Sequence, residues 1–413
     1  MNIIDIITRK KNGLSLSYDE LYFAFNGYLE KKIPDYQMSA LLMAIVINGM
    51  NLTETLSLTD IFLKSGDELH LGEKIENLVD KHSTGGIGDT TTLIIGPMCA
   101  SLGLNMAKMS GRGLGITGGT IDKLESIPGF NVNETEEEFI NQVKKIGFAV
   151  VSQTRNLTPL DKVIYALRDV TGTTESIPLI SSSIMSKKLA LGAKNILIDV
   201  KFGSGALMKT REDAENLSKY LIAIGDAYNV NVRTLIDDMN SPLSNAIGNS
   251  LEICEAINVL NGKKCKLYDA CVEIVANLYD MTFKCGLESG YSKAKCVLDS
   301  KEALNKFYEF VHAQGGSLRN VKVADYKIKV HSKKEGVITK IDAYGAGALA
   351  AKLGASKQTL DDKIDYTVGI MLNKSVGDSV KRDDVLFTIY SSDPSIEFTE
   401  SDFSFIEVSD GLE

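Results

Sequence analysis

The 413-residue chain has few histidines, no closely spaced cysteine pair, no surplus of positive charge and no apolar run long enough to span a bilayer. Its six cysteines (Cys99, Cys254, Cys265, Cys271, Cys285, Cys296) include no Cys-x-x-Cys, so they read as reduced thiols in a reducing compartment. The four histidines (His70, His82, His312, His331) offer no metal-ligand cluster and no defensible Ser-His-Asp order. A net charge of −9 with no basic stripe argues against general nucleic-acid binding. The start Met1-Asn2-Ile3-Ile4-Asp5 lacks a basic region followed by an apolar one, so no signal peptide is indicated. With no bilayer-length segment either, the expectation is a cytoplasmic protein with no membrane or nucleic-acid partner. Hydrophobic residues at 44% and charged ones at 24% are ordinary for a soluble globular chain, with length for two or three domains.

What is present is glycine in two dense clusters. The first, Lys81-His82-Ser83-Thr84-Gly85-Gly86-Ile87-Gly88-Asp89-Thr90-Thr91-Thr92, follows the apolar Leu78-Val79 and precedes Leu93-Ile94-Ile95, which reads as a helix that Asp89 could cap. Free N–H groups at a helix start, the positive end of its dipole and a lysine all favour an anion. It is not a Walker loop, because no Gly-Lys-Ser/Thr closes it. The second cluster comes one βα unit later. Asn105–Met109 reads as a buried strand, then Ser110-Gly111-Arg112-Gly113-Leu114-Gly115-Ile116-Thr117-Gly118-Gly119-Thr120, with Thr120 a candidate N-cap for the helix that follows. In a parallel sheet both turns lie at the carboxyl ends of strands, where α/β proteins bind ligands. Ser83, Thr92, Ser110 and Thr120 could then converge on one tetrahedral oxyanion, with Lys81 and Lys108 supplying charge.

The surrounding pattern is helical over residues 1–65, where Ser17-Tyr18-Asp19-Glu20 is a capping box and Leu41–Val46 is apolar nearly all round and so expected to be buried. Residues 78–157 alternate strand and helix, 158–192 turn helical again, and 193–323 return to the sheet with Ile196–Val200 and Val232–Ile236. Residues 324–413 show short strands around one Ala-rich helix, Ala346–Leu353. The expected fold is α/β and two-lobed: a small all-helical lobe from two separated segments, a larger mixed α/β lobe, and a C-terminal α+β subdomain.

In the second helical segment, Arg168 follows the apolar turn Val163–Leu167, and Pro178 opens a helix that carries Ile180, Ser183 and Lys187 on one face. That face could bind a planar polar ring. Pattern alone also allows a solvent-facing serine and lysine, and Lys188 reads as one more exposed lysine. Asp161, Asp169 and Asp199 read by default as capping or ion-pair residues.

These motifs resemble the thymidine and pyrimidine-nucleoside phosphorylases. The likeness rests on Lys81-His82-Ser83-Thr84-Gly85-Gly86, Ser110–Gly115, Thr117-Gly118-Gly119-Thr120-Ile121-Asp122-Lys123-Leu124-Glu125 and Ser186-Lys187-Lys188, and it covers nearly the whole chain. Gly88-Asp89-Thr90-Thr91-Thr92 is closer to the broad pyrimidine-nucleoside branch than to the thymidine-restricted one. The resemblance implies reversible phosphorolysis of uridine, deoxyuridine and thymidine to free base and (deoxy)ribose 1-phosphate. It implies phosphate as co-substrate on Lys81, His82, Ser83, Thr92, Lys108, Met109, Ser110 and Thr120, with the pyrimidine on Arg168, Ser183 and Lys187. His82, Arg168 and Lys187 are then the catalytic candidates. It further implies a potassium ion (K+) on carbonyls of Gly88 and Thr90 and on Leu243, Ala246 and Glu255, and a homodimer. Ile116 stands where a histidine is common, while Phe202, Ser204 and Gly172 also depart from the usual residues.

Two rival readings remain. An anthranilate-type phosphoribosyltransferase shares the architecture and a glycine-rich phosphate loop, but it would need acids for magnesium and leaves Arg168 and Lys187 without a purpose. The tail, with Val368-Gly369-Ile370 and Val376–Val380, resembles the hammerhead fold of biotin and lipoyl carriers, yet Ser391-Ser392-Asp393-Pro394 offers no lysine to modify.

Overall fold

The computed structural model describes residues 1–413 except 114, 117, 154, 155, 358–361 and 410–413. Leu114 and Thr117 of the second glycine cluster therefore lie outside the described residues. The chain opens with helices α1 (Ile3–Lys11), α2 (Tyr18–Leu29), α3 (Asp35–Asn48), α4 (Leu52–Leu63) and the single turn α5 (Leu71–Lys74). Alternation follows: β1 (Leu78–Ser83), α6 (Thr91–Ser101), β2 (Asn105–Ser110), α7 (Thr120–Glu125), α8 (Glu136–Ile146) and β3 (Phe148–Ser152). Helices α9 (Pro159–Thr171) and α10 (Ile177–Leu191) interrupt it before β4 (Asn195–Phe202), α11 (Arg211–Ala227) and β5 (Asn231–Asp238). A short strand β6 (Ala246–Ile247) leads into α12 (Asn249–Leu260), α13 (Lys266–Phe283), α14 (Leu287–Asp299) and α15 (Glu302–Ala313). The tail holds β7 (Tyr326–His331), β8 (Gly336–Ile341), α16 (Ala343–Lys352), β9 (Gly369–Leu372), β10 (Ser379–Val380), β11 (Val385–Ser391) and β12 (Ile406–Ser409). The central sheet has the order β3-β2-β1-β4-β5, and β2 runs parallel to β3 from Met106 opposite Phe148 to Ser110 opposite Ser152. The architecture is thus a helical bundle, a parallel-sheet α/β core and an antiparallel C-terminal domain.

By compactness the chain divides into two units. The first comprises residues 1–82, 153–200 and 210–235. Its helices start where the sequence offers caps: Ser17 with Glu20 and Asn51 with Glu54 each close a reciprocal capping box. Leu21, Phe25, Leu42, Ile45, Leu58 and Phe62 form one core with Leu160, Ile164 and Leu179, so α9 and the start of α10 complete a bundle begun more than 90 residues earlier. Helix α10 also hydrogen-bonds α4, with Ser182 Oγ donating to Thr55 O at 3.1 Å. Helix α3 is less buried than its composition suggests. Leu41, Leu42, Ala44 and Ile45 face the core, but Met43 is exposed and Val46 only half-buried, because a surface helix turns one side outward whatever residues occupy it.

The second unit comprises residues 83–152, 201–209 and 236–413. Helix α6 lies so close to β3 that a Cβ on Gly96 would fall 2.2 Å from the Phe148 ring, so only glycine fits there. The tail builds two antiparallel sheets, β10-β8-β12 and β6-β9-β11-β7. Strand β6 comes from well before the tail yet pairs with β9, Ala246 opposite Met371. Its neighbour Ile247 joins Ile87 of the first glycine loop in a core with Ile338, Leu349, Ile370 and Phe387. The Ala-rich helix starts at Ala343, three residues before its expected first residue, capped by the Asp342 carboxylate.

Both helix starts after the glycine loops shift by one residue from expectation. Thr90, not Asp89, is the N-cap of α6, although the Asp89 carboxylate still accepts the Thr91 N–H at 3.1 Å. Gly119, not Thr120, is the N-cap of α7, so Thr120 is the first helical residue and its hydroxyl is not used as a cap.

Candidate active site

The first loop leaves β1 through residues tied below it by charge. Lys81 is buried, and its Nζ lies 3.0 Å from Asp199 Oδ2 on β4. Asp80, one residue earlier, takes Lys188 Nζ at 2.7 Å. Lys188 is thus a buried partner, not the exposed lysine its neighbour suggested, because a carboxylate 108 positions away neutralises it. Beyond the strand, Ser83 Oγ accepts the Gly85 N–H at 3.2 Å, and Gly85 and Gly88 take positive φ, 97° and 68°, that glycine adopts without strain. Thr92 is buried in the first turn of α6.

The second loop is closed by a carboxylate. Asp122 Oδ2 accepts the N–H groups of Gly113 at 2.6 Å and Gly119 at 3.2 Å, and its Oδ1 takes Arg112 at 3.1 Å. A Cβ on Gly119 would fall 2.2 Å from Gly113 N, so the loop folds back on itself too tightly for any side chain. Arg112 also pairs with Glu125, Nη2 to Oε1 at 2.6 Å, and Tyr366 donates its hydroxyl to Glu125 at 2.9 Å. Burial pushes the Glu125 carboxyl up, but the hydrogen bonds from Arg112 and Tyr366 and the guanidinium charge hold it below its ordinary value. Burial, with Glu125 alongside, pushes the Tyr366 phenol up to about 12. Lys108 is buried in β2 and Ser110 ends that strand half-buried. Ile116, the residue in place of a common histidine, packs against the tail core.

One buried ion pair joins the two loops. Lys123 Nζ, on α7, donates to Asp89 O and to Glu252 Oε2, both at 2.6 Å. Glu252 in turn accepts the Thr90 hydroxyl at 2.8 Å and the Gly248 N–H at 3.2 Å. Of the residues expected around a cation, Gly88 and Ala246 approach closely: a Cβ on Gly88 would lie 3.3 Å from Ala246 O. Leu243 N–H donates to Ile87 O at 3.1 Å. Glu255, however, has both carboxylate oxygens on Lys263 Nζ, at 2.8 and 2.9 Å, and the acid on Thr90 is Glu252, one turn earlier. Among the described residues no group of three or more His, Cys, Asp or Glu side chains is placed to hold a metal ion.

The helical side holds two cations in place. Arg168 is only 1% exposed, and three backbone carbonyls fix its guanidinium: Thr173 at 3.0 Å from Nε, Leu179 at 3.4 Å from Nη1 and Thr174 at 2.8 Å from Nη2. Lys187 Nζ donates to Asp161 Oδ2 at 2.8 Å and to Ser183 Oγ at 3.0 Å. The Tyr165 ring has the Arg168 carbon 5.6 Å and Lys187 Nζ 5.9 Å from its centroid. Burial lowers the Arg168 pKa, partly offset by the charge of Asp161. The solvent-facing alternative therefore fails for Ser183, which is buried, and Lys187 is only partly exposed. Sequence reasoning missed Asp122, Lys123 and Glu252 as parts of the site. Two of them stood inside a quoted motif, but their partners are remote in sequence.

Three family models match the chain: the helical bundle domain of the glycosyl transferase family over residues 4–66, its a/b domain over 75–304, and the pyrimidine nucleoside phosphorylase C-terminal domain over 337–402. Relatives named pyrimidine-nucleoside phosphorylase include those of Geobacillus stearothermophilus, 47% identical over 406 residues, and Bacillus subtilis (strain 168), 46% over 406. That of Staphylococcus haemolyticus is 46% identical over 405 residues. Each match covers 96% of this chain and 94% of the relative. The crystal structure of anthranilate phosphoribosyltransferase from Thermus thermophilus superposes with a TM-score of 0.61 at 17% identity, covering 75% of this chain and 99% of that one. At that identity the match bears on fold alone.

Because Asp122 holds two glycine N–H groups, Asp122→Ala should loosen the second loop while the rest of the fold persists. Amide exchange at Gly113 and Gly119 is expected to speed up about tenfold or more, as losing buried hydrogen bonds worth roughly 1–3 kcal/mol requires. Unchanged exchange at both amides would show that the carboxylate does not hold the loop.

Proposed function

The chain belongs to the pyrimidine-nucleoside phosphorylase family of pentosyltransferases, and from that premise we propose that it phosphorolyses uridine, deoxyuridine and thymidine alike. A phosphate oxygen attacks C1′ of the sugar, the C1′–N1 bond breaks, and the base departs with the bonding electrons. The products are the free pyrimidine and (deoxy)ribose 1-phosphate. Phosphate is assigned to Lys81, His82, Ser83, Thr92, Lys108, Met109, Ser110 and Thr120. Hydrogen bonds to a charged group are worth roughly 1.5–3 kcal/mol each, so several together hold an ion that water also solvates well. Lys81 already faces Asp199, so in this reading it contributes directed N–H donors more than net charge. His82, between Lys81 and Ser83 on β1, is assigned as a further donor to the phosphate.

The observation that carries the reading is the charge balance on α9 and α10. Beside Tyr165, the buried Arg168 and the partly exposed Lys187 bring two positive charges and the buried Asp161 one negative, with Asp169 exposed to solvent. A surplus of cation among the sheltered groups favours a ligand that becomes anionic, as a pyrimidine does when its glycosidic bond breaks. The guanidinium has three donors committed to carbonyls, which fixes its plane and leaves two N–H for a base oxygen. Donors fixed before charge develops stabilise the transition state without reorganising. Ser183 would complete the contact to the ring. Phosphate-dependent release of uracil and thymine, measured side by side from the three nucleosides, tests the reaction, and release that ignores phosphate would refute it. Arg168→Ala should cut turnover by about 10²–10³, with phosphate binding to the free enzyme retained; turnover near wild type would remove Arg168 from the mechanism.

A monovalent cation, K+, is assigned to Gly88, Thr90, Leu243, Ala246 and Glu255. The close approach of Gly88 to Ala246 suits an ion held mainly by carbonyl oxygens, whose chemistry is to supply a fixed positive charge there. Glu255 fits only if it shares its carboxylate with Lys263. Exchanging potassium for a bulky organic cation by exhaustive dialysis should lower the thermal midpoint and the activity; no change in either would refute the assignment.

The reading includes a homodimer. Tyr36, Met43 and Ile47, at 74%, 38% and 72% exposure, lie on one face of α3 at spacings of seven and four, an apolar stripe that suits a second copy. Ile47→Glu is expected to shift the mass measured by light scattering from dimer towards monomer. A monomeric wild type, or an Ile47→Glu variant that stays fully dimeric, would count against this face.

A further inference from the structure

Asp161 has no part in the assignments above beyond its charge, yet it is the residue on which Lys187 depends. It stands in the first turn of α9, 2% exposed, and its Oδ2 accepts the Lys187 ammonium at 2.8 Å. Its Oδ1 is buried with no hydrogen-bond partner among the described residues. A carboxylate in that state is costly, because burying an ion without full hydrogen bonding costs several kcal/mol unless charges nearby compensate. The charged and titratable groups around it are Lys187 on α10 and Tyr165 and Arg168 on α9, while Lys188 is taken by Asp80. Asp161 is therefore the counter-ion for both cations beside Tyr165.

Resting on the reading of Arg168 and Lys187 as the base-side donors, we infer that Asp161 is a positioning residue for phosphorolysis. It anchors the Lys187 ammonium and fixes where its remaining N–H points. One N–H goes to Asp161 and one to the Ser183 oxygen, so a single donor is left for the base. Because Ser183 Oγ accepts from Lys187, its own proton is turned away from the lysine and also becomes available to a ligand. Without Asp161, Lys187 loses the partner that sets its direction and swings towards water. The directed donors are then lost, whereas the phosphate residues are untouched.

The experiment compares Asp161→Asn, Asp161→Glu, Lys187→Met and the double variant Asp161→Asn/Lys187→Met in the phosphorolysis assay. Asp161→Asn should lower kcat about 10- to 100-fold, the scale of misplacing a reacting group by about an ångström, and leave KM for phosphate within about twofold. Asp161→Glu should recover part of that loss. The double variant should be no slower than Lys187→Met alone, since residues acting as a unit are not additive. Wild-type turnover in Asp161→Asn, a matching rise in KM for phosphate, Asp161→Glu slower than Asp161→Asn, or a double variant slower than Lys187→Met each overturns the inference. If Asp161→Asn does not fold, the double variant, which removes the lysine charge together with the carboxylate and leaves Arg168 on its carbonyls, carries the comparison with Lys187→Met. Full turnover in Lys187→Met would instead refute the base-side reading itself, a distinct outcome.

Discussion

Lys123 and Glu252, 2.6 Å apart and almost wholly out of water, are the contact on which both glycine loops depend. Taking two charges out of water costs several kcal/mol per ion, so such a pair persists only where other hydrogen bonds share the load. Here they do. Asp89 O shares the ammonium, and the Thr90 hydroxyl and Gly248 N–H share the carboxylate. Neither loop could keep its backbone N–H groups in place by glycine alone, since glycine gains its reach by giving up conformational restraint. The ion pair and the Asp122 carboxylate restore that restraint from outside the loops.

On α9 and α10 the same physics operates with the sign reversed. Two cations are ordered, one by carbonyls and one by a carboxylate. Holding loop N–H groups and holding long cations are separate tasks. The chain meets each with buried partners instead of mobile surface side chains, so the entropy cost of ordering these groups is met on folding.

Much of this was legible locally. The strand-to-glycine-to-helix rhythm around Lys81 and Ser110, the capping box at Ser17 and the helical interruption of the sheet pattern over residues 158–192 are short-range signals, and strands, helices and cap are found in those stretches. Illegible were contacts made across long stretches of chain. Thr90 meets Glu252 over 162 positions and Lys188 meets Asp80 over 108, so Glu252 passed unnoticed and Lys188 looked like a surface lysine. The one-residue shifts at Thr90 and Gly119 have a different origin. At α6 the expected Asp89 still serves the Thr91 N–H from one position before the cap, and at α7 Asp122 serves the Gly119 N–H from inside the helix. The apolar run of α3 misled for a third reason, since composition does not record which side of a helix faces out.

The carbonyl cage around Arg168 has a consequence for heredity. Its acceptors belong to the main chain at Thr173, Thr174 and Leu179, and every amino acid supplies the same carbonyl. A substitution at these positions leaves the acceptor in place, so the contacts to the guanidinium constrain the path of the backbone and not the side chains, whatever other packing holds Leu179 and Thr173. Insertions and deletions between the two helices are what selection must purge. The orientation of the arginine is thus inherited through the length and course of the chain between the two helices.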